Sequence, residues 1–448
     1  MKYVRQHVHK LTHCRRVRGY GAAYTVPVFL TVAAVSLWVN ATLLHWLGLA
    51  QLVLLTKLVL LLAMHEVLRP FCLSFSHVCY VAAHVIAAAN AAILQFVRRG
   101  LQPKFPEWTL WYEWFQAIAF AAGQQNGGHI LKLQNALAFR RNFELIGRVL
   151  GIWACWYHHK ELETFQYNGL EHLWLRSRSS SKSMDSKSRI VVLYYHGGGY
   201  ALFSPRFFVG FACRLLTGIQ SQLGALGGHA TDCATKDVQI LLANYRKLPE
   251  VCFPAPLNDA MMMFNYLVDH EHVLPQNIIL AGDSAGAGLV LATLLRLRQA
   301  GREMPLAALC SCPYADLSAD VAASEYCFIS KSMLDAIRDL CVLEMPWCSW
   351  REGAMLQADL RGLPPLFVQT AEFDILHQQS LQLVKNAQCD GVDVELDVHE
   401  HMPHVFTLFP PFILPQSSVG IERLAAFVTR QTTAQRLPVQ YPMAAPPF

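Results

Sequence analysis

The chain has 448 residues, 53% of them hydrophobic and only 15% charged, with a formal net charge of +5. It is too apolar for a disordered chain and long enough for two or three domains with an ample core. The modest basic excess is concentrated at the N-terminus and implies no nucleic-acid partner, and the thirteen cysteines show no C-x-x-C or zinc-ligand spacing and read as reduced thiols.

Residues 1 to 24 form a basic arm, with Lys2, Arg5, Lys10, Arg15, Arg16 and Arg18 and no acidic residue. Membrane-length apolar sequence follows directly. About 20 apolar residues cross the hydrocarbon core, so residues 26 to 47 are expected to be a transmembrane helix. A second helix at 49 to 66 carries Lys57 near its centre, which requires a partner or a tilt. A third apolar run, 78 to 97, is Ala-rich, contains His84 and Asn90 and ends at Arg98-Arg99; it spans the membrane, lies along it or is buried. A secretory signal would need a shorter apolar run and a small-x-small cleavage site, so an anchor is the preferred reading. The sequon at Asn40-Ala41-Thr42 falls inside the first span and should stay unmodified. Basic flanks stay cytoplasmic, so one or three spans would put the rest of the chain in the lumen and two would leave it cytoplasmic. The expected location is a membrane, that of the endoplasmic reticulum, with its side left open.

Residues 105 to 175 are rich in aromatics, among them Trp108, Trp111, Trp114, Trp153 and Trp156, with helical spacing through 136 to 152. Packing against a core is the preferred role; a cap over an apolar pocket or an interfacial belt is the alternative. Residues 177 to 189 read as an exposed Ser-rich loop, and 224 to 237 as a loop containing Gly227-Gly228. Between these loops a strand at 190 to 195 breaks into His196-Gly197-Gly198-Gly199-Tyr200. Consecutive glycines can aim successive backbone N–H groups at one point, as an oxyanion requires. After a strand at 238 to 244, Arg246 and Glu250 are expected to hold loops rather than react.

The run Ile279-Leu280-Ala281-Gly282-Asp283-Ser284-Ala285-Gly286, followed by apolar residues 289 to 295, reads as strand, sharp turn and helix with G-x-S-x-G at the corner. Such a corner exposes a serine hydroxyl and points the positive end of the helix at it. Asp283 is expected to face away from Ser284, since adjacent strand residues alternate. Cys310 and Cys312 sit on the next buried strand as small hydrophobes, and 319 to 361 is expected to be a second helical insertion, with Met345, Trp347 and Trp350 as candidate lining or core residues.

A serine needs a base and an acid to orient it, and both follow. Asp374 lies just past a strand at 366 to 370, and an alternating strand at 392 to 398 runs into His399-Glu400-His401-Met402-Pro403-His404. Asp374 and His404 complete the order Ser, Asp, His. The extra histidines, His399 and His401, read as a solvated cluster rather than a metal site.

The HGGG block, the run Asn244-Tyr245-Arg246-Lys247-Leu248-Pro249-Glu250 with Phe253-Pro254-Ala255-Pro256 and Asp259, GDSAG, Cys312-Pro313-Tyr314-Ala315-Asp316-Leu317-Ser318, AEFD and MPHVF together resemble the hormone-sensitive-lipase-like branch of the α/β-hydrolases. That branch includes bacterial esterases, arylacetamide deacetylase and sterol-acetate deacetylases. The resemblance covers roughly residues 188 to 430. It implies an α/β-hydrolase with a mostly parallel eight-stranded sheet and a helical cap, here preceded by N-terminal transmembrane helices. It further implies Ser284 as nucleophile, His404 as general base and acid, Asp374 as its orienting partner, and an oxyanion hole from Gly198, Gly199 and the backbone of Ala285. Three positions depart from the family: Ala287-Gly288 after GDSAG, His377-Gln378-Gln379 where an acidic pair is common, and Val405-Phe406 where Gly-Phe often follows the base.

The expected organisation is a basic arm at 1 to 24, a membrane anchor at 25 to 97, a helical cap and linker at 98 to 187, a catalytic domain at 188 to 432 and a tail at 433 to 448. The expected activity is hydrolysis of a small apolar or lipid ester beside membrane lipid, without metal or organic cofactor. An acyltransferase using the same serine, or a ligand-binding protein on this fold, is the alternative.

Overall fold

Apolar runs without polar interruption need cover on both faces, and this chain answers that need with a sheet sandwiched between helices. The structure, a computed structural model, describes residues 49–178, 189–227, 237–342 and 350–434. The expected basic arm, the span at 26 to 47, the sequon, the C-terminal tail, most of the Ser-rich loop, and Met345 and Trp347 lie outside these residues.

Among the described residues, four α-helices come first. α1 (Leu49–Leu68) presents Leu54, Leu58, Val59 and Leu62 outward. α2 (Phe75–Arg98) starts where the Ser74 hydroxyl accepts from the His77 N–H. Its Val78, Val81, Ala82 and Val85 pack on Ile118, Ala121 and Ala122 of α3 (Leu110–Asn126), while Ile86, Ile93, Leu94 and Val97 stay exposed. Among the described residues Ser76–Arg98 is the one helix long and apolar enough to cross a membrane, which by itself is weak evidence of a span. α4 (Leu133–Tyr157) completes the set. The packing expected of the tryptophans holds for Trp108, which is buried; Trp111, Trp114, Trp153 and Trp156 are exposed instead, because the helices turn other faces to the core.

The sheet begins earlier than residue 188, where the sequence reading started the catalytic domain. β1 (Lys160–Tyr167) and β2 (Leu170–Ser177) form a hairpin within the stretch assigned to cap and linker. The reason is local: Asn168-Gly169 takes positive φ at both positions, 51° and 73°, the turn chemistry that matches strand twist. The remaining strands are β3 (Arg189–Tyr195), β4 (Asp237–Ala243), β5 (Ile278–Asp283), β6 (Ala307–Ser311), β7 (Leu366–Ala371) and β8 (Val394–His399). Their order is β1-β2-β4-β3-β5-β6-β7-β8, with β2 antiparallel to both neighbours and every other pair parallel apart from that hairpin.

Strand alternation divides the core. Ile190, Val192 and Tyr194 face α5 (Val209–Gly227), whose length shows that Gly224 belongs to a helix rather than to the expected loop. Val191, Leu193 and Tyr195 face the opposite layer, built from α6 (Ala255–Asp269) and α7 (Ala285–Gln299). The expected insertion supplies α8 (Lys331–Val342); Ser330 and Ser332 donate to the carbonyl of Gly123 at 2.8 and 3.1 Å and so tie it to α3. α9 (His377–Cys389) covers the α6–α7 face and α10 (Gln416–Ala434) joins α5 on the other. β3 and β5 lie side by side, and their connections leave to opposite sides. Their carboxyl ends therefore open the crevice where sheets of this type place ligands.

Candidate active site

Ser284 stands alone between the end of β5 and the start of α7. Its backbone has φ 52° and ψ −121°, a conformation that side-chain-bearing residues seldom adopt and that persists only where neighbours over-determine it. Here they do: its N–H donates to Ser311 O at 2.9 Å, and its carbonyl accepts from Gly288 N at 3.1 Å and Tyr314 N at 3.0 Å. Gly286 is required by close approach, since a Cβ there would sit 2.8 Å from the His196 carbonyl carbon and strike the Tyr195 carbonyl. The G-x-S-x-G helix and the HGGG loop thus touch through backbone.

Asp374 follows β7, and His404 lies on the loop after β8. Thirty residues apart, they meet with Nδ1 of His404 2.7 Å from Oδ1 of Asp374, both side chains buried. Oδ1 also accepts from Leu376 N at 2.9 Å, which fixes the carboxylate against its own turn. The histidine loop is held from outside the hydrolase sequence blocks. Trp108 Nε1 donates to His401 O at 2.7 Å, the Thr109 hydroxyl to Ile413 O at 2.5 Å, and Glu107 meets the His401 ring at 2.9 Å. Val405 adopts φ 44°, a left-handed backbone that glycine would take without strain. The cluster expected to be solvated is mostly buried: His399 pairs with Asp397 at 2.8 Å and His404 with Asp374, so only His401 keeps appreciable exposure. The three histidines diverge to three carboxylates because successive positions on a strand end and turn point different ways.

The oxyanion candidates are shaped by φ. Gly198 and Gly199 have φ of 112° and 61°, and a Cβ on Gly199 would meet Ile337 Cγ1 at 3.0 Å. That contact places α8 directly over the loop. His196 is stacked between Tyr245, at 4.4 Å between centroids, and Phe208, at 5.4 Å. Burial holds its pKa well below the usual histidine range, so the ring is neutral and structural. Ala285 begins α7, and its N–H is among the free donors of that helix terminus.

Asp283 turns out to clamp this loop. Its Oδ1 accepts from the Tyr194 hydroxyl at 2.6 Å and from the Gly197 N–H at 2.9 Å. Burial raises its pKa from 3.8 to about 6 despite those two bonds. A carboxyl whose folded pKa is raised contributes stability that is full below 3.8 and lost as pH rises through about 6. Asp283→Asn, which keeps one acceptor oxygen and no charge, should therefore unfold at a higher temperature than the parent at pH 8, with the gap closing at pH 4. Thermal unfolding at the two pH values checks this; a constant gap would mean that Asp283 does not titrate in this range.

Arg246 binds Asp259 through two guanidinium nitrogens, at 2.8 and 2.9 Å, and Glu250 pairs with Arg140 at 2.6 Å, both in the structural roles expected. Gln379 anchors the start of α9, in the stretch where the resemblance led one to expect an acidic pair. Its Oε1 accepts from Ala315 and Asp316 N–H at 2.9 and 3.0 Å, and its Nε2 donates to Asp316 O at 3.0 Å. Gly288 lies under the Tyr314 carbonyl, where a Cβ would come within 2.6 Å, so close packing requires glycine here. Among the described residues one group of three offers potential metal-ligand atoms, Cys312, Asp374 and His404, and two of these already face each other across a hydrogen bond.

A family profile described as the alpha/beta hydrolase fold matches residues 192–408. The chain is 33% identical over 246 residues to an acetyl-hydrolase of Streptomyces hygroscopicus, covering 54% of this chain and 76% of that protein. It is 26% identical over 284 residues to a carboxylesterase of Mycobacterium tuberculosis, covering 60% of this chain and 82% of that protein. Among solved structures, an esterase from the bacterial hormone-sensitive lipase family superposes with a TM-score of 0.53 at 30% identity, covering 66% of this chain and 92% of that one.

Proposed function

Because this chain belongs to the hormone-sensitive-lipase-like α/β hydrolases, and so is a serine carboxylester hydrolase, we propose that Ser284, His404 and Asp374 form its triad and that it cleaves apolar esters at a membrane. The observation that carries the triad reading is the buried His404–Asp374 bond of 2.7 Å, formed at the mouth of the same sheet edge as the strained Ser284 corner. Nε2 of His404 takes the serine proton as Oγ attacks the ester carbonyl, and the imidazolium is steadied by Asp374. The oxyanion rests on the N–H groups of Gly198, Gly199 and Ala285, each worth about 3 kcal/mol in the barrier. His404 then protonates the leaving alcohol, and water repeats the sequence to free the acid.

Membrane attachment is supported by the exposed apolar faces of α1 and α2 and by the apolar sequence that precedes them. On this reading the anchor keeps the crevice beside the bilayer, where apolar esters concentrate.

The test uses the full chain purified in detergent, offered p-nitrophenyl esters of increasing acyl length and acetates of bulky apolar alcohols, with and without an alcohol acceptor. Release of free acid in both conditions is expected. Transfer of the acyl group to the acceptor in preference to water would overturn the hydrolytic reading, and extraction of the protein from membranes by alkaline carbonate would overturn the anchor.

A further inference from the structure

Oδ1 of Asp374 is fully used, by His404 and by the Leu376 N–H, whereas Oδ2 is buried with no bonding partner. An ionised carboxylate oxygen left bare in the interior is costly, so the enclosure around it should contain a donor. Cys312 shares that enclosure: its Sγ, the Asp374 carboxylate and a His404 ring nitrogen all lie within 4.8 Å of one another.

We propose that Cys312 is a positioning residue of the hydrolytic site, its thiol donating to Oδ2 of Asp374 and thereby fixing the carboxylate that orients His404. This rests on the triad reading above. Cys312 follows β6 and is completely buried, with its backbone at φ 47°. That left-handed conformation is held from two sides. The Cys312 N–H donates to Gln369 O at 2.7 Å on β7, and the Val405 N–H donates to Cys312 Sγ at 3.3 Å. The second bond occupies a sulfur lone pair and leaves the S–H proton to be given elsewhere. Burial and the neighbouring Asp374 charge both keep the thiol protonated, so it serves as a donor and not as a nucleophile. Cys312 also links the parts of the site, since Ser311 and Tyr314 on either side of it hold the backbone of Ser284. Among the described residues His404 and Cys327 also face Asp374; the sulfur of Cys327 sits among backbone groups of Ile329, Ile375 and His404.

The experiment compares Cys312→Ala, Cys312→Ser and Cys312→Val in the full-length protein, with Cys327→Ala as control, by ester kinetics across pH and by thermal unfolding. Removing the donor should lower kcat about tenfold with KM unchanged, the size expected for a hydrogen bond to a charged group. It should also move the acidic limb of kcat/KM to higher pH, because a carboxylate relieved of the thiol's hydrogen bond bears its charge more fully on the imidazolium of the base. Serine, which keeps a donor, should recover most of kcat and return the limb, whereas valine should not. If Ala fails to fold, the Ser against Val comparison decides alone. Three variants with equal kcat and an unmoved limb would overturn the proposal and leave Cys312 a packing residue, as would a limb that shifts in Cys327→Ala instead. Ester hydrolysis retained by Ser284→Ala would instead sink the triad reading, whatever the Cys312 variants do.

Discussion

Ser284→Ala is expected to lower kcat for ester hydrolysis by about a millionfold, or about 8 kcal/mol of barrier, and to abolish labelling by a fluorophosphonate probe. The size follows from the covalent route. Without Oγ there is no acyl-enzyme, and what remains is the binding of the ester and the polarisation of its carbonyl by the loop after β3. The substitution is mild structurally, because the corner is held by backbone bonds to Ser311, Gly288 and Tyr314 that alanine retains. Unchanged thermal unfolding together with lost labelling would tie the activity to this hydroxyl. Labelling that persists in the variant would place the reactive serine elsewhere.

Asp374→Asn should cost about ten-thousandfold in kcat while leaving the protein folded. Asparagine is isosteric and its carbonyl oxygen can still accept from the Leu376 N–H, so the turn after β7 survives. Leu376 and His404 meet the same oxygen, so the amide has two settings. With its carbonyl there it is a neutral acceptor that cannot support an imidazolium. Flipped, it gives up the Leu376 bond, turns an N–H toward Nδ1 and forces the His404 proton onto Nε2, where it cannot take the serine proton. The loss should fall on kcat with little change in KM, and the rate should rise steeply at alkaline pH, where attack depends less on the buried base. A loss of under tenfold would mean that another acid orients His404.

The alternating strand that ends in His404, the strand that ends beside Asp374 and the G-x-S-x-G corner are legible in the sequence because each depends on residues close together in the chain. Periodicity sets which side chains turn inward, and a strained corner demands glycine at defined offsets. The Asn168-Gly169 hairpin was equally local, yet its strands fell within the stretch at 98 to 187 assigned to cap and linker. Burial of the tryptophans was not legible, because helical spacing shows that a helix has an apolar face without showing which neighbour covers it. Of Trp108, Trp111, Trp114, Trp153 and Trp156, Trp108 alone found one, on the His401 loop nearly three hundred residues away.

By itself the sequence determined the family-type blocks, their order and the three residues that match the triad pattern, since these rest on local backbone geometry and on the chemistry of the side chains. Only the tertiary structure decided that Asp283 clamps the Gly197 N–H, that Gln379 ties α9 to the Ala315-Asp316 backbone, that Val405 and Cys312 tolerate left-handed backbone, and that Oδ2 of Asp374 lies bare beside a thiol. Each of those is a contact between segments far apart in the chain, and burial fixes its energy by removing the water that would otherwise satisfy either partner.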